Sequence, residues 1–444
     1  MIDFPASPTV GQKFTAVGIS WTWDGTKWSG SAGSGAKASC SDTPPVNPAL
    51  GTLWWDSVGG QLYIYYNDGN SSQWVIAVNY GFGLFLPIAG GTLTGPLTLS
   101  GNPVAPLQPT TKQYVDALPV AINHNRIING DMLINQRGVA TGATSVYTVD
   151  RWQYACSQAA KGNWSQNDNG VGQPGGYKYS LGFASSSAYA SIASDYFEFY
   201  QTIEADMITD FQWGTTNAIP VTLSFWFYAS QVGTYSGSVR NAANNRSYPF
   251  NITYPALTWT KIVINIPGDT GGTWVMSGNA ASITLTFDLG SGSNYRSAAG
   301  SWQAGNYVGA TGAVSPVGVN GLSLFITGVK LEGGNVATPF PRETLAKKLL
   351  DCQRYFYKPL NSIFGSSYSP GASGSLSIFA LRVFPVTMRA APTQSGAAFS
   401  NANLNAPSIT SMNIDGATWV ATNAAAGGFQ IGVQGGTETY SAEL

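Results

Sequence analysis

Aromatic and polar side chains are interspersed with glycine along the turn-rich segment 291–312, SGSNYRSAAGSWQAGNYVGATG. In such a mixture, aromatic faces can stack on the C–H surfaces of a sugar ring, while amide and guanidinium groups bond its hydroxyls. Long loops on rigid sheets often carry function. We therefore predict that this segment binds a glycan through Tyr295, Arg296, Trp302, Asn306 and Tyr307.

A second segment of similar composition, GTYSGSVRNAANNRSYP at 233–249, is the other candidate for a sugar site. Its side chains of interest are Tyr235, Arg240, Asn241, Asn245 and Arg246. For both segments the alternative is an ordinary loop, or an aromatic side chain buried between subunits.

Residues that could build a catalytic centre are sparse. His124 is the only histidine of the sequence. The sequence contains neither a Gly-x-Ser-x-Gly nucleophile elbow nor a nucleotide-binding loop. Its cysteines and histidine do not have the spacing of a metal site. Five acids cluster at 194–211, SDYFEFYQTIEADMITDF, but glycoside hydrolysis needs two carboxyl groups facing each other at roughly 5–9.5 Å. Asp195 and Glu198 have opposite strand parity and would face opposite sides. We predict that the protein is not an enzyme and holds no metal and no cofactor.

Composition favours a β-sheet protein with many turns. Charged residues make up 10% of the 444 positions, against roughly 25% in typical soluble domains, while aromatics reach 13% and glycine contributes 53 residues. The net charge of −1, without a basic run, speaks against nucleic-acid binding. Neither a signal peptide nor an apolar run of roughly 18 residues is present, so we expect no membrane insertion. Cys40, Cys156 and Cys352 are expected to be free thiols.

Two related units of alternating aromatic residues lie at 11–28 and 51–74. Each turns at an Asp-Gly pair, which is a strong hairpin signal between alternating residues. In modules this small we expect the tryptophans to form the core, because aromatic side chains carry most of the burial.

The segment 86–118 joins a strand-like stretch too short to bury anything to a helix too short to stand alone. Burying one leucine contributes about 1.5–3 kcal/mol, whereas ordering one residue costs about 1–2 kcal/mol in backbone entropy. Three copies around an axis would let each apolar side chain meet its symmetry mates, although a flexible linker is the alternative. We predict a trimerisation neck built from Leu93, Leu97, Leu99, Tyr114, Val115 and Leu118.

The order of residues in LPIAGGTLTGPLTLSGNPVAPLQPTTKQYVDAL, 86–118, resembles the connector of tail-fibre and related structural proteins of tailed bacteriophages. The resemblance implies a trimeric stalk that joins a virion-attached N-terminus to distal domains. NRIINGDMLINQRG at 125–138 and YTVDRW at 147–152 resemble the start of a jelly-roll domain similar to carbohydrate-binding modules. In relatives of this kind 233–249 corresponds to a regular strand pair, so 291–312 is the favoured site.

The region after the neck alternates apolar and polar residues as half-buried strands do, at 221–230, 260–267, 282–290 and 322–332. A helix follows, because Leu345, Leu349, Cys352 and Phe356 recur at i, i+4, i+7 and i+11. Further strands end the chain, either as a separate tip or as a completion of the jelly-roll's sheet.

We therefore predict a mostly β chain in six parts. They are an N-terminal β module for virion attachment at 1–35, a second Trp-rich β module at 36–80, the trimerisation neck with its short helix at 81–118, a jelly-roll carbohydrate-binding-like domain at 119–340, a helix at 341–358 and a C-terminal β domain at 359–444.

The resemblance implies a homotrimeric phage fibre on the virion surface, made in the host cytoplasm, and the composition agrees with its mostly β class. Its N-terminus would bind another virion protein, and its distal β domains would bind a host cell-surface glycan during adsorption. A fibre that only decorates the head or baseplate is the first alternative, and a polysaccharide depolymerase is the second.

The neck leads to a direct prediction about assembly. We expect the purified chain to sediment as a trimer at micromolar concentration, because one neck alone cannot offset its ordering entropy. Analytical ultracentrifugation measures this, and a monomeric mass would contradict the prediction.

Overall fold

The computed structural model describes residues 4–16, 19–31, 38–77, 101, 110, 125–138, 142, 144–167, 172–255, 257–371, 376–400 and 403–444. It divides into two compact units, Met1–Ser100 and Gly101–Leu444. The predicted mostly β class is confirmed, since strands dominate both units. The six neck residues and His124 lie outside the described residues, so trimerisation stays a prediction: Leu93, Leu97, Leu99, Tyr114, Val115 and Leu118.

The first unit contains two small sheets. One is an antiparallel sheet in the order β1-β2-β3, and the other has the order β4-β5-β6-β7 with β4 parallel to β5. The strands are β1 (Lys13–Ala16), β2 (Ile19–Trp23), β3 (Trp28–Ser31), β4 (Ser39–Ser41), β5 (Leu53–Asp56), β6 (Gln61–Asn67) and β7 (Ser72–Ile76).

The Asp-Gly pairs turn the chain as predicted. The Asp24 carboxylate accepts hydrogen bonds from the backbone N–H groups of Thr26 and Lys27 at 2.8 and 2.9 Å. These bonds, that of Lys27 first, lower the pKa of Asp24 to about 2. Gly25 follows at φ +105°, a conformation that side chains disfavour. The turn is therefore stabilised locally by its own carboxylate.

Aromatic rings supply the small cores of this unit. Phe4 stacks on Trp28 with 5.4 Å between ring centroids, and Trp54 stacks on Tyr63 at 5.0 Å. Trp54 is buried, whereas Trp55, on the other side of the same strand, is exposed. Strand alternation thus decides which tryptophan enters the core.

A β-sandwich forms the body of the second unit. Its five-stranded sheet has the order β10-β11-β21-β13-β16, and its seven-stranded sheet has the order β19-β15-β14-β17-β12-β9-β8. The twelve strands of these sheets are β8 (Val146–Tyr147), β9 (Gln153–Cys156), β10 (Gly162–Asn167), β11 (Ser180–Ser185), β12 (Phe197–Glu204), β13 (Val221–Ala229), β14 (Gly233–Asn241), β15 (Arg246–Tyr254), β16 (Thr260–Ile266), β17 (Ala281–Asp288), β19 (Gln303–Ala304) and β21 (Ser323–Gly333). Two further short strands, β18 (Arg296–Ser297) and β20 (Gly309–Ala310), pair with each other in parallel.

Alternation along these strands fills one continuous core between the two sheets. Phe197, Phe199 and Ile203 of β12 point inward and are almost fully buried. The buried amide of Gln201 bonds both the backbone N–H and the carbonyl of Ile128 at 2.9 Å, which docks the segment 125–131 on the sandwich. A polar residue at a core position thus satisfies backbone groups that would otherwise be unpaired.

Short helices and further strands complete the unit. The 3₁₀ helices are Ala205–Phe211, Ser293–Tyr295 and Pro316–Gly318, and α1 is Leu345–Gln353. The remaining strands form sheets β22-β29-β25, β23-β28 and β24-β27-β26. They are β22 (Phe356–Tyr357), β23 (Ile363–Ser369), β24 (Ser377–Val383), β25 (Thr393–Ser395), β26 (Ser408–Met412), β27 (Gly416–Thr422), β28 (Gly427–Val433) and β29 (Thr439–Ser441).

The helix predicted over 341–358 is observed over the shorter range of α1, and its buried side differs from the predicted stripe. Cys352 is buried as expected, but Leu345 is 61% exposed, and Phe356, although buried, lies beyond the helix in the strand β22. Lys348 is buried instead, because its ammonium pairs with the buried Asp131 carboxylate. Helical spacing alone could not reveal that partner. Among the described residues no helix is long and apolar enough to cross a bilayer.

Charged groups join the C-terminal strands to the sandwich. The Glu204 carboxylate, at the end of β12, accepts bonds from Arg354 at 2.5 and 3.1 Å and from the Tyr355 hydroxyl at 2.6 Å. Burial, followed by Glu204, raises the pKa of Tyr355, so its hydroxyl stays protonated and donates. Glu443 likewise bonds Arg137 and Arg151. The C-terminal strands are thus held on the sandwich by buried carboxylates.

We expect Glu204→Ala to lower the free energy of unfolding by about 2–3 kcal/mol, because it removes the carboxylate that accepts three hydrogen bonds from Arg354 and Tyr355. Urea denaturation at neutral pH measures the loss. Glu343→Ala is the matched control, since Glu343 pairs with Lys347 at the surface and its removal should cost less than about 1 kcal/mol. Equal losses for the two variants would contradict the proposed docking role.

Candidate functional site

The outward side of the seven-stranded sheet is polar and aromatic. Tyr196, Glu198, Tyr200 and Thr202 alternate with the core residues of β12 and therefore share this outer face. The neighbouring strand β17 adds Asp288, which lies directly opposite Glu198 in the register. The sheet thus gathers charged and aromatic groups on one surface.

The segment 291–312 folds back over part of this outer face. Its strand β19 pairs with β15, and the Tyr307 N–H donates to Ser247 Oγ at 3.0 Å. A Cβ added to Gly309 would lie 2.6 Å from Ser236 Oγ and still closer to Asp288 Oδ2. Only glycine permits this approach, so the segment is a fitted cover rather than a free loop.

A groove of about 390 Å³ remains where the cover ends. Tyrosine rings, amides and one ion pair dominate its lining. The lining side chains with aromatic or hydrogen-bonding groups are Tyr196, Glu198, Tyr200, Thr202, Arg240, Asn244, Thr284, Tyr295 and Asn306. Tyr196 and Tyr295 meet edge to face, with 5.9 Å between their ring centroids.

Arg240 organises the polar part of the groove. One of its terminal nitrogens donates to Glu198 Oε2 at 2.6 Å and to Thr286 Oγ1 at 2.9 Å, and the other donates to Asn306 Oδ1 at 2.7 Å. Burial raises the pKa of Glu198, and the Arg240 charge acts against this rise. Burial also raises the pKa of Tyr200 to about 12. The groove therefore presents the bonded guanidinium of Arg240, one paired carboxylate and the neutral hydroxyl of Tyr200.

Of the five residues predicted from 291–312, two line the groove and three lie elsewhere. Tyr295 and Asn306 line the groove. Arg296 is instead held by Asp288 at 2.7 Å and by the Ala313 carbonyl at 2.9 Å.

Trp302 and Tyr307 are also outside the lining of the groove. Trp302 packs in an aromatic cluster, 5.2 Å from Trp213 and 5.4 Å from Trp274, and its Nε1 donates to the Pro267 carbonyl. Tyr307 lies beside Gly305, within the cover. Glycan contact by the five residues as a set stays a prediction, and the geometry favours Tyr295 and Asn306.

Other residues of the groove come from outside 291–312. Arg240 belongs to the second candidate segment, which is the strand pair of β14 and β15 as expected. Tyr196, Glu198 and Tyr200 were not predicted as binding residues. Their period-two spacing in DYFEFYQT was the available signal, but sequence alone could not show that this face would be partly covered.

The acids of 194–211 are engaged in the fold. Asp195 accepts from Ser157 and Tyr189 at 2.8 Å each, and Asp210 pairs with Arg126 at 2.6 Å. Glu198 and Glu204 carry the bonds given above, and Asp206 accepts from a backbone N–H. Within the described ranges, His, Cys, Asp and Glu side chains form no group of three or more suited to a metal ion.

No protein-family model matches the sequence, and neither does any curated protein. Among solved structures, the chain is similar to the carbohydrate-binding module TmCBM61 in complex with β-1,4-galactotriose. The identity is 14% over 47% of this chain and 99% of the module, with a TM-score of 0.24. A family 11 carbohydrate-binding module of the cellulase Lic26A-Cel5E of Clostridium thermocellum gives 13% identity over 46% of this chain and 99% of that module, with a TM-score of 0.23.

The enzymatically active domain of tailspike protein 4 of bacteriophage CBA120 is a further match, at 14% identity over 47% of this chain and a TM-score of 0.24. This match spans only 21% of the tailspike chain. TM-scores this low establish neither a shared ligand nor a shared activity, so function has to be inferred from the chain's own residues.

Trp302→Ala is expected to lower the free energy of unfolding by about 2–3 kcal/mol, because the partly buried indole packs against three other aromatic rings, whereas a fully buried tryptophan would cost about 3–5 kcal/mol. Tyr295→Ala, at the edge of the groove, should cost less than about 1.5 kcal/mol. Urea denaturation of both variants tests whether Trp302 is a packing residue and Tyr295 a residue at the edge of the groove. A larger loss for Tyr295→Ala would contradict it.

Proposed function

We propose that this protein is a glycan-binding fibre of a tailed bacteriophage and that the groove on its seven-stranded sheet holds the sugar. The observation that carries the proposal is the union of three tyrosines with the Arg240 network in one groove. Aromatic rings and fixed planar polar groups are the combination that recognises sugars, which present apolar C–H faces and a ring of hydroxyls.

The groove suits a short stretch of a glycan. Its volume of about 390 Å³ falls in the usual range for small-ligand sites, roughly 300–1,000 Å³. Tyr196, Tyr200 and Tyr295 offer ring surfaces, while Asn244 and Asn306 offer amide groups for hydroxyls. Because Arg240 already holds the side chain of Asn306 in place, this side chain loses little conformational entropy on binding a sugar.

The geometry favours binding over cleavage. Glu198 and Asp288 lie opposite each other on adjacent strands, but each is bound to its own arginine, Arg240 or Arg296. Asp288 also lies beneath Gly309 of the cover. Glycoside hydrolysis needs two carboxyl groups flanking the scissile bond with access to it, and this pair is neither free nor accessible on both sides.

The fibre role rests on the sequence of the neck at 86–118 and on the modules before it. A homotrimer would carry three grooves on one body, so that weak single sites gain affinity through effective concentration. We propose that the N-terminus binds another virion protein, that the fibre stands on the virion surface, and that the grooves bind a host cell-surface glycan during adsorption.

The test uses the full chain on an array of bacterial lipopolysaccharides and capsular polysaccharides. We expect binding to at least one of them, reduced roughly 30-fold by Tyr196→Ala combined with Tyr295→Ala, since each lost ring removes about 1 kcal/mol of contact. Tyr66→Ala is the matched control, because Tyr66 is an exposed tyrosine of the first unit.

Two results would contradict the proposal. Failure of the full chain to bind any polysaccharide of the array would favour a fibre that only decorates the virion. Release of oligosaccharide from a bound polysaccharide would favour a depolymerase.

A further inference from the structure

Charge in the groove is confined to one ion pair. Among the described residues that line it, Glu198 and Arg240 alone have charged side chains. Glu198 Oε2 and a terminal nitrogen of Arg240 lie 2.6 Å apart, and the two side chains are only 10% and 6% exposed. Asp288, on the neighbouring strand, pairs with Arg296 at 2.7 Å in the same way. Each pair sums to zero, so the side chains give the groove no net charge.

Arg240 has little left to offer an incoming anion. Its two terminal nitrogens already donate to Glu198, Thr286 and Asn306. Its Nε is buried, so a ligand in the groove cannot reach it. An anionic sugar would lose its hydration beside the Glu198 carboxylate without gaining an unpaired cation, and this loss is unfavourable. The groove therefore disfavours carboxylate, sulfate and phosphate groups.

The remaining polar groups of the groove are uncharged and suit hydroxyls. The oxygen of Asn306 accepts from Arg240, which leaves its amide N–H groups as donors for a ligand. Asn244 is exposed and offers both its amide oxygen and its amide nitrogen. The hydroxyls of Tyr196 and Tyr295 can donate and accept, as the hydroxyls of a sugar can. The groove thus offers a neutral sugar partners of both kinds.

We propose that the groove selects neutral sugar residues and that Glu198 determines this selectivity. The inference rests on the proposed function, because it specifies which class of sugar the same groove takes. Glu198 acts through Arg240: its carboxylate cancels the guanidinium charge, which would otherwise attract acidic sugars such as uronic acids. Without that carboxylate, the same arginine would stand in the groove as an uncompensated cation.

The first experiment uses the full chain and the polysaccharide that it binds most tightly on the array, before and after chemical reduction of carboxyl groups to alcohols. We expect reduction to leave the affinity at or above its original value. Because no unpaired charge takes part, raising NaCl from about 50 to about 500 mM should change the affinity less than about twofold. Binding that is lost on reduction, or weakened roughly tenfold by salt, would overturn the inference and leave glycan binding in place.

The second experiment compares Glu198→Gln with Glu343→Gln on the acidic polysaccharides of the same array. Glutamine keeps an oxygen for Arg240 but removes the compensating charge. At low salt Glu198→Gln should therefore bind these polysaccharides at least about tenfold more tightly than the unsubstituted chain does. Glu343→Gln changes the net charge equally, but Glu343 pairs with Lys347 outside the groove, so this control should bind them no better.

Two results of this comparison overturn the inference: no gain for Glu198→Gln, or an equal gain for both variants. Circular dichroism shows whether the variants are folded, and if Glu198→Gln is not, the first experiment decides alone because it uses the unsubstituted chain. Failure of that chain to bind any polysaccharide would instead remove the proposed function, and the inference with it. The inference and the proposed function therefore fail by different observations.

Discussion

The burial of charge on the outer face of the seven-stranded sheet is the constraint on which the second unit depends. The inward side of that sheet fills the core, and the segment 291–312 covers part of the outward side. Covering removes Glu198 and Asp288 from water, and an unpaired buried charge costs several kcal/mol. Arg240 and Arg296 compensate for this cost by ion pairs at 2.6 and 2.7 Å. The groove lies where one of these pairs meets the edge of the cover.

Carboxylates paired with arginines inside the fold occur elsewhere in this unit as well. Glu204 and Glu438 are buried, the side chain of Glu443 is 5% exposed, and each is bound to at least one arginine. Since only 10% of the residues are charged, pairs placed inside leave fewer charges for the surface. Strand β24 shows the consequence most clearly, with its arginine inside and its apolar side chains outside. In β24, the charged side chain is used inside the fold, and the outward side is left with apolar side chains.

Alternation in the sequence predicted the strands well, because a side-chain period of two is a local property of the chain. The strands expected at 221–230 and 260–267 are observed as Val221–Ala229 and Thr260–Ile266. The helix was also found, but its buried side was not, since Lys348 enters the interior to meet Asp131 from a segment more than two hundred residues away. The spacing of apolar residues in a helix cannot predict a partner this far away in the sequence.

The sequence by itself determined the β class, the Asp-Gly turns and the mixture of side chains suited to a sugar, because these follow from local conformation and composition. Only the tertiary structure decided which of those side chains line one groove. It brought Tyr295 and Asn306 to Arg240, and it placed Trp302 in an aromatic cluster. The reason is physical: pairing between distant strands and the course of the covering segment set which residues meet, and neither is encoded in local spacing.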